Sequence, residues 1–164
     1  MKRTLPAGRR RAQRGAIAIE AALVLPILIV FVLFPSLYWT YYFYQYSAAQ
    51  KAVHDAGLYL STASKVEMTT AGADGSPAAL AIARKIIARE MAGMNPPDPG
   101  IVCSYRQPSG FVVAKPCTTT SNQDYKQPLI GIYVSIDMSY VDPLTGNISD
   151  LKIFPYADVP YMGD

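Results

Sequence analysis

The sequence predicts an α+β protein: a long N-terminal transmembrane helix, then a small exported domain with one amphipathic helix and an antiparallel β-sheet. Three observations predict it. From Ala16 to Leu37 the only charged residue is Glu20. Between Leu80 and Met94, apolar residues recur at three- and four-residue steps, the period of a helix face. The stretch LIGIYVSIDMSYV, Leu129 to Val141, alternates with the two-residue period of a half-buried strand.

The transmembrane part is residues 16–37. At about 1.5 Å per residue a helix of that length spans roughly 33 Å, enough for a hydrocarbon core of about 30 Å. Pro26 and Pro35 fall within it; membrane helices tolerate proline, although each proline removes a backbone donor. The next nine residues, YWTYYFYQY from Tyr38 to Tyr46, include seven aromatic ones. Tyrosine and tryptophan favour the headgroup region, so this stretch reads as an interfacial belt. Helical character continues through SAAQKAVHDAGLYLSTASKVEM, and the long helix is expected to occupy residues 16–71.

Charge sets the orientation. The chain carries 15 basic and 12 acidic residues, a net charge of +3. Lys2, Arg3, Arg9, Arg10, Arg11 and Arg14 precede Gly15 with no acid among them, so residues 1–15 form a basic leader. A basic segment directly before an apolar run fixes topology by the positive-inside rule: N-terminus cytoplasmic, everything after Leu37 outside. This placement leaves no call for nucleic acid as the partner of the basic segment; membrane lipids fit it.

Outside the membrane, GADGSP breaks the helix, and Ser76 with Pro77 offers a start for an amphipathic helix over residues 77–94, with Gly93 as a stop. Leu80, Ala83, Ile87, Met91 and Met94 share its apolar face, which is expected to pack on the domain, the alternative being a membrane surface. NPPDPG is a second break, and residues 100–164 form the β domain. In the long strand, Ile130, Ile132, Val134, Ile136, Met138 and Tyr140 fall on one face. DPLTGN marks a turn, and ISDLKIFPYADV offers a return strand with Leu151 and Ile153 inward and Pro155 placing its later half at an edge or beyond the sheet. Cys103 and Cys117 each lie seven residues from Gly110, so a hairpin with its tip near QPSG brings them together. On the exported side a disulfide is expected, the alternative being two free buried thiols.

Catalysis finds no support. The single histidine, His54, has Asp55 beside it, but adjacent helical positions point about 100 degrees apart. Two cysteines and one histidine make no zinc site, and no phosphate loop, dinucleotide fingerprint or nucleophile elbow is present. No catalytic residue, metal ligand or cofactor is assigned. Ordinary signal-peptide cleavage also fits poorly: the apolar run exceeds the usual core and ends in bulky aromatics. Cutting at Ser47-Ala48-Ala49 would discard the whole helix.

Gly15-Ala16-Ile17-Ala18-Ile19-Glu20, behind its basic leader, resembles the type IV prepilin processing signal. The fuller string RGAIAIEAALVLPILIVF, with Pro26 near its centre, resembles the TadE-like pseudopilins of the tight-adherence (Tad, or Flp) pilus system. The resemblance spans about Arg10 to Thr62; where the family often has phenylalanine after the glutamate, this chain has Ala21. It implies cleavage between Gly15 and Ala16 by a membrane prepilin peptidase, making Glu20 the fifth residue of the mature chain. It implies a minor pilin of the inner membrane acting in pilus biogenesis and surface adherence. Its partners would be other Tad pilins or pseudopilins and the inner-membrane assembly platform. A carboxylate deep in a bilayer costs roughly 2.5–3.5 kcal/mol, and pairing with the new terminal ammonium of a staggered neighbour offsets part of that while fixing register. The plainer reading is that Glu20 reaches interfacial water. The alternative function is an uncleaved single-span protein whose exported domain binds a ligand or envelope partner.

Overall fold

A computed structural model describes the backbone of residues 8–72, 75–117 and 127–163, with side chains from Ile17 onward. Lys2 and Arg3 of the leader lie outside the described residues. The chain divides into two units, Met1–Tyr41 and Tyr42–Asp164.

In the first unit, α1 runs from Gly8 to Leu28, a π-helical turn covers Ile29–Leu33, and α2 begins at Phe34. The π turn has a local cause. Pro35 has no amide hydrogen and its ring crowds the carbonyl one turn back, so the ladder widens just before it. Phe34 N–H reaches the carbonyl of Ile29, five residues back. The Ser36 hydroxyl donates to Leu33 O at 2.8 Å and Thr40 to Ser36 O at 2.7 Å, side-chain bonds of the kind that steady proline-bearing membrane helices. Apolar side chains are exposed around the helix, among them Ile17, Leu23, Val24, Ile27 and Phe31. A helix apolar on all sides needs lipid or other helices as its solvent.

In the second unit α2 continues to Thr62. Its buried face, Gln45, Ala49, Ala52, Val53, Ala56, Gly57, Leu60 and Ser61, is a stripe at helical spacing. The helix stops short of the expected residue 71 because other groups take its last carbonyls. Met162 N–H donates to Ser61 O at 2.9 Å and the Tyr161 hydroxyl to Ala63 O at 2.9 Å. Ser64, extended at ψ 145°, then caps a separate one-turn helix, α3 (Lys65–Thr69), by accepting from Glu67 N–H.

The amphipathic helix, α4, spans Ala78–Glu90. Leu80, Ala83, Ile87 and Met91 are buried in the domain. Its first turn differs from expectation: Pro77 occupies the cap position, and the Ser76 hydroxyl accepts from the Arg84 guanidinium at 3.0 Å instead of from a helix amide. Gly93 follows with φ +90°, a left-handed conformation that ends the helical path before residue 94.

Strands β1 (Gly100–Arg106), β2 (Val112–Pro116), β3 (Leu129–Ser135) and β6 (Tyr156–Pro160) form an antiparallel sheet in the order β2-β1-β3-β6; β4 (Met138–Val141) and β5 (Ile148–Ile153) form a second, two-stranded sheet. The run from Leu129 to Val141 is therefore two strands, not one. Its register nevertheless carries through: Ser135 pairs with Tyr156, and Met138 pairs with Ile153 in the same frame. The interruption at Ile136–Asp137 faces Phe154–Pro155, and Pro155 has no N–H to give the ladder. Its carbonyl instead accepts from Ile136 N–H at 3.1 Å. Ile132, Val134, Ile136, Met138 and Tyr140 are buried as their alternation indicates, whereas Ile130 is only half-buried and Leu129 is buried instead, where the register with β1 shifts between Ser104 and Tyr105; β6 is an edge strand. Leu151 corrects the expectation of an inward side chain. It is 39% exposed, whereas Ile153 is buried, because the two-stranded ribbon buries fewer positions than the larger sheet.

Strand β6 runs in the same sense as α2. Gln50 Nε2 donates to Tyr156 O at 2.9 Å, Gly57 faces Ala157 and Val159, and Ser61 meets Met162. A side chain at Gly57 would place its Cβ 3.2 Å from Val159 Cγ2, so glycine permits this approach of helix to sheet.

Candidate functional site

The motif residues lie in α1. The backbone of Gly15 and Ala16 is helical, within the turns between Gly8 and Glu20. A peptidase that reads an extended segment must unwind this part of the helix, and glycine at position 15 lowers that cost because it is the weakest helix former short of proline. Glu20 is exposed, and so are Ile17, Leu23 and Val24 three or four residues away on the same face. Glu20 is the one carboxylate among these apolar side chains.

Cys103 and Cys117 form a disulfide with Cα atoms 4.9 Å apart. They are not direct cross-strand partners, since Cys103 lies opposite Lys115. The bridge runs diagonally at the open end of the β1–β2 hairpin. The hairpin tip is a turn closed by Gly110 N–H to Gln107 O at 2.9 Å and Gln107 N–H to Phe111 O at 2.8 Å. Pro108 sits at its second position and Gly110 takes φ +88°, the left-handed residue that such a three-residue loop requires.

His54 Nδ1 lies 3.8 Å from Asp55 Oδ1, beyond hydrogen-bond length, and both side chains are exposed. Asp55 instead neighbours Lys51 at 3.4 Å, and Lys51 also meets Glu90 of α4. The Glu90 hydrogen bond is the main reason the Lys51 ammonium is held above its usual range. Partial burial lowers the Lys65 amine, which donates to Gln127 O at 2.7 Å. Among the described residues, no group of three or more His, Cys, Asp or Glu side chains is placed to hold a metal ion.

Gln45, overlooked in the sequence, is the structural centre of the aromatic stretch. It is buried, and its amide bonds both backbone groups of Val141, while the Tyr42 ring packs against Tyr140 with centroids 5.8 Å apart. The only available signal was that one amide interrupts a run of aromatic residues.

No curated protein and no solved structure matches the chain. A family model does, described as TadE-like protein, and it covers residues 15–58. The match opens on Gly15, includes Glu20 and the aromatic stretch, and ends within α2 before the strands begin. Over that helical segment the chain is similar to the TadE-like proteins.

Proposed function

We propose that this protein is a minor pilin or pseudopilin of a Tad pilus, made with a leader that a prepilin peptidase removes between Gly15 and Ala16. One observation carries the reading: Gly15 and Glu20 stand in the processing frame at the head of an apolar helix exposed on all sides, within a TadE-like match. The protein acts by assembly. Ala16 becomes an ammonium terminus, Glu20 of a neighbouring subunit neutralises it, and the axial offset between the two helices follows from their separation of four residues. The C-terminal domain, periplasmic before assembly and extracellular after it, presents a surface for initiation or adherence, and its disulfide suits that compartment.

The test is the mass of the chain recovered from membranes of cells that hold the peptidase. A mature species beginning at Ala16 supports the proposal. An intact chain beginning at Met1, with the peptidase active on another substrate in the same cells, overturns it in favour of an uncleaved single-span protein.

A further inference from the structure

The face of the four-stranded sheet turned away from α2 carries exposed aromatic rings. Ala157 and Val159 of β6 meet Gly57 of α2, and Ile132 and Val134 of β3 are buried. The alternate residues Tyr133, Tyr156 and Asp158 therefore point to the opposite face. Tyr133 is 37% exposed and pairs across the ladder with Asp158, while Tyr156, 58% exposed, precedes Asp158 on the same side of β6. The two rings stack, with centroids 5.7 Å apart and planes inclined by 26°. Gly131, beside them on β3, leaves one flank of the carboxylate open, since a Cβ there would stand 3.8 Å from Asp158 Oδ1.

The patch favours positive charge. Ring faces carry the negative part of the aromatic quadrupole, and Asp158 adds a full negative charge directly across from Tyr133, with Cβ atoms about 5 Å apart. Among the described residues no cation pairs with Asp158. Lys152, on β5, has its charge opposed by Asp137 at 4.0 Å. On β1, Arg106 stands beyond Val102, the partner of Tyr133, by roughly 13 Å at the rise of a strand.

Charge and shape together specify a guanidinium. It is planar, so it stacks on a tyrosine ring, and its forked N–H groups donate to a carboxylate beside that ring. A lysine ammonium is a compact, strongly hydrated point charge without a plane to stack. A neutral sugar covers the rings but leaves the charge of Asp158 unanswered. Tyrosine and arginine are also the residue types on which protein interfaces concentrate their binding energy.

We propose that Tyr133, Tyr156 and Asp158 form a docking site for an arginine side chain on an exposed segment of a partner protein. The guanidinium lies over the tyrosine pair and donates to the Asp158 carboxylate. The site is made by the domain alone and does not depend on leader removal, so recovery of an uncut chain leaves it standing.

The probe is a blocked peptide of alternating glycine and arginine, titrated to millimolar concentration into the isotope-labelled full chain in uncharged detergent. Amide resonance shifts are expected to centre on Tyr133, Tyr156 and Asp158. Tyr156→Ala is expected to weaken binding about threefold through the lost ring. Asp158→Asn, which keeps the shape of the side chain, is expected to weaken it about tenfold through the lost charge-assisted bond. Both side chains are exposed, and near-ultraviolet circular dichroism checks that the variants keep the native fold. The peptide with citrulline for arginine, planar but uncharged, is expected to bind at least about tenfold more weakly. Shifts spread alike over Glu67, Asp142 and Asp158 overturn the proposal, because charge alone then accounts for binding. Equal binding of the citrulline peptide, or of its lysine counterpart, overturns it too, as does the absence of any shift at the three residues. Maltotriose moving these resonances where the arginine peptide does not assigns the face to sugars and also overturns it.

Discussion

Gln45 grips Val141 with both ends of its amide: Nε2 donates to Val141 O at 3.1 Å, and Oε1 accepts from Val141 N–H at 3.4 Å. The side chain completes the free edge of β4 as a neighbouring strand would, in a buried setting where an unpaired backbone group is costly.

Replacing it tests that role. Gln45→Leu keeps the bulk and strands both Val141 groups, and is expected to destabilise the domain by about 1–3 kcal/mol. Urea unfolding of the full chain in detergent, followed by near-ultraviolet circular dichroism, measures the loss. A change within experimental scatter of the native chain would show that the clasp carries no stability.

Gly57 is the second point of close approach. Gly57→Leu forces bulk between α2 and the pair Ala157 and Val159, with an expected cost of about 1–3 kcal/mol. Gly57→Ala, whose Cβ meets Val159 Cγ2 at 3.2 Å, is expected to cost less, because only a side-chain methyl must give way. The order of the two variants in the same unfolding assay is the prediction.

Removing the disulfide by Cys103→Ser with Cys117→Ser reopens a loop with a sequence separation of 14. The expected loss is about 3 kcal/mol by the loop-entropy relation. Alkylation before electrophoresis, with and without reductant, reports whether the bridge exists in protein recovered from cells; identical mobility contradicts it.

The two motif residues are expected to separate by phenotype. Gly15→Val leaves the leader attached, read by N-terminal mass. Glu20→Gln is cut normally yet enters sheared pili at least about tenfold less, the loss expected when a partly buried ion pair worth roughly 1.4 kcal/mol or more is removed. Normal incorporation of Glu20→Gln would refute the register role.

Lys51 gives a pH prediction. Its folded-state pKa is raised above 10.5 chiefly by the Glu90 hydrogen bond, so its contribution is complete below that value and is lost as pH climbs through the folded-state pKa. The stability difference between the native chain and Lys51→Met is therefore expected to be constant at neutral pH and to shrink in alkaline titration beyond 10.5.

Local features were legible in the sequence. The apolar run, the alternation from Ile132 to Tyr140 and the Cys103–Cys117 hairpin all depend on spacing within a short window. What escaped depends on partners far along the chain. Thr62 ends α2 because Tyr161 and Met162 occupy the adjacent carbonyls, nearly a hundred residues on. The break after Ser135 comes from Pro155 across the ladder, where the intervening sequence Ile136–Asp137 is itself compatible with a strand. Gln45 gains its meaning only from Val141, which lies 96 residues further along the chain.

Because β6 runs alongside α2 in the same sense, a pull along that helical segment loads its ties to the sheet side by side. Gln50 to Tyr156 and Ser61 to Met162 would strain together, in shear, so that parting the helix from the sheet requires breaking them at once instead of peeling them in turn. A pull directed along α2 from Tyr42 onward is thus opposed by these ties together.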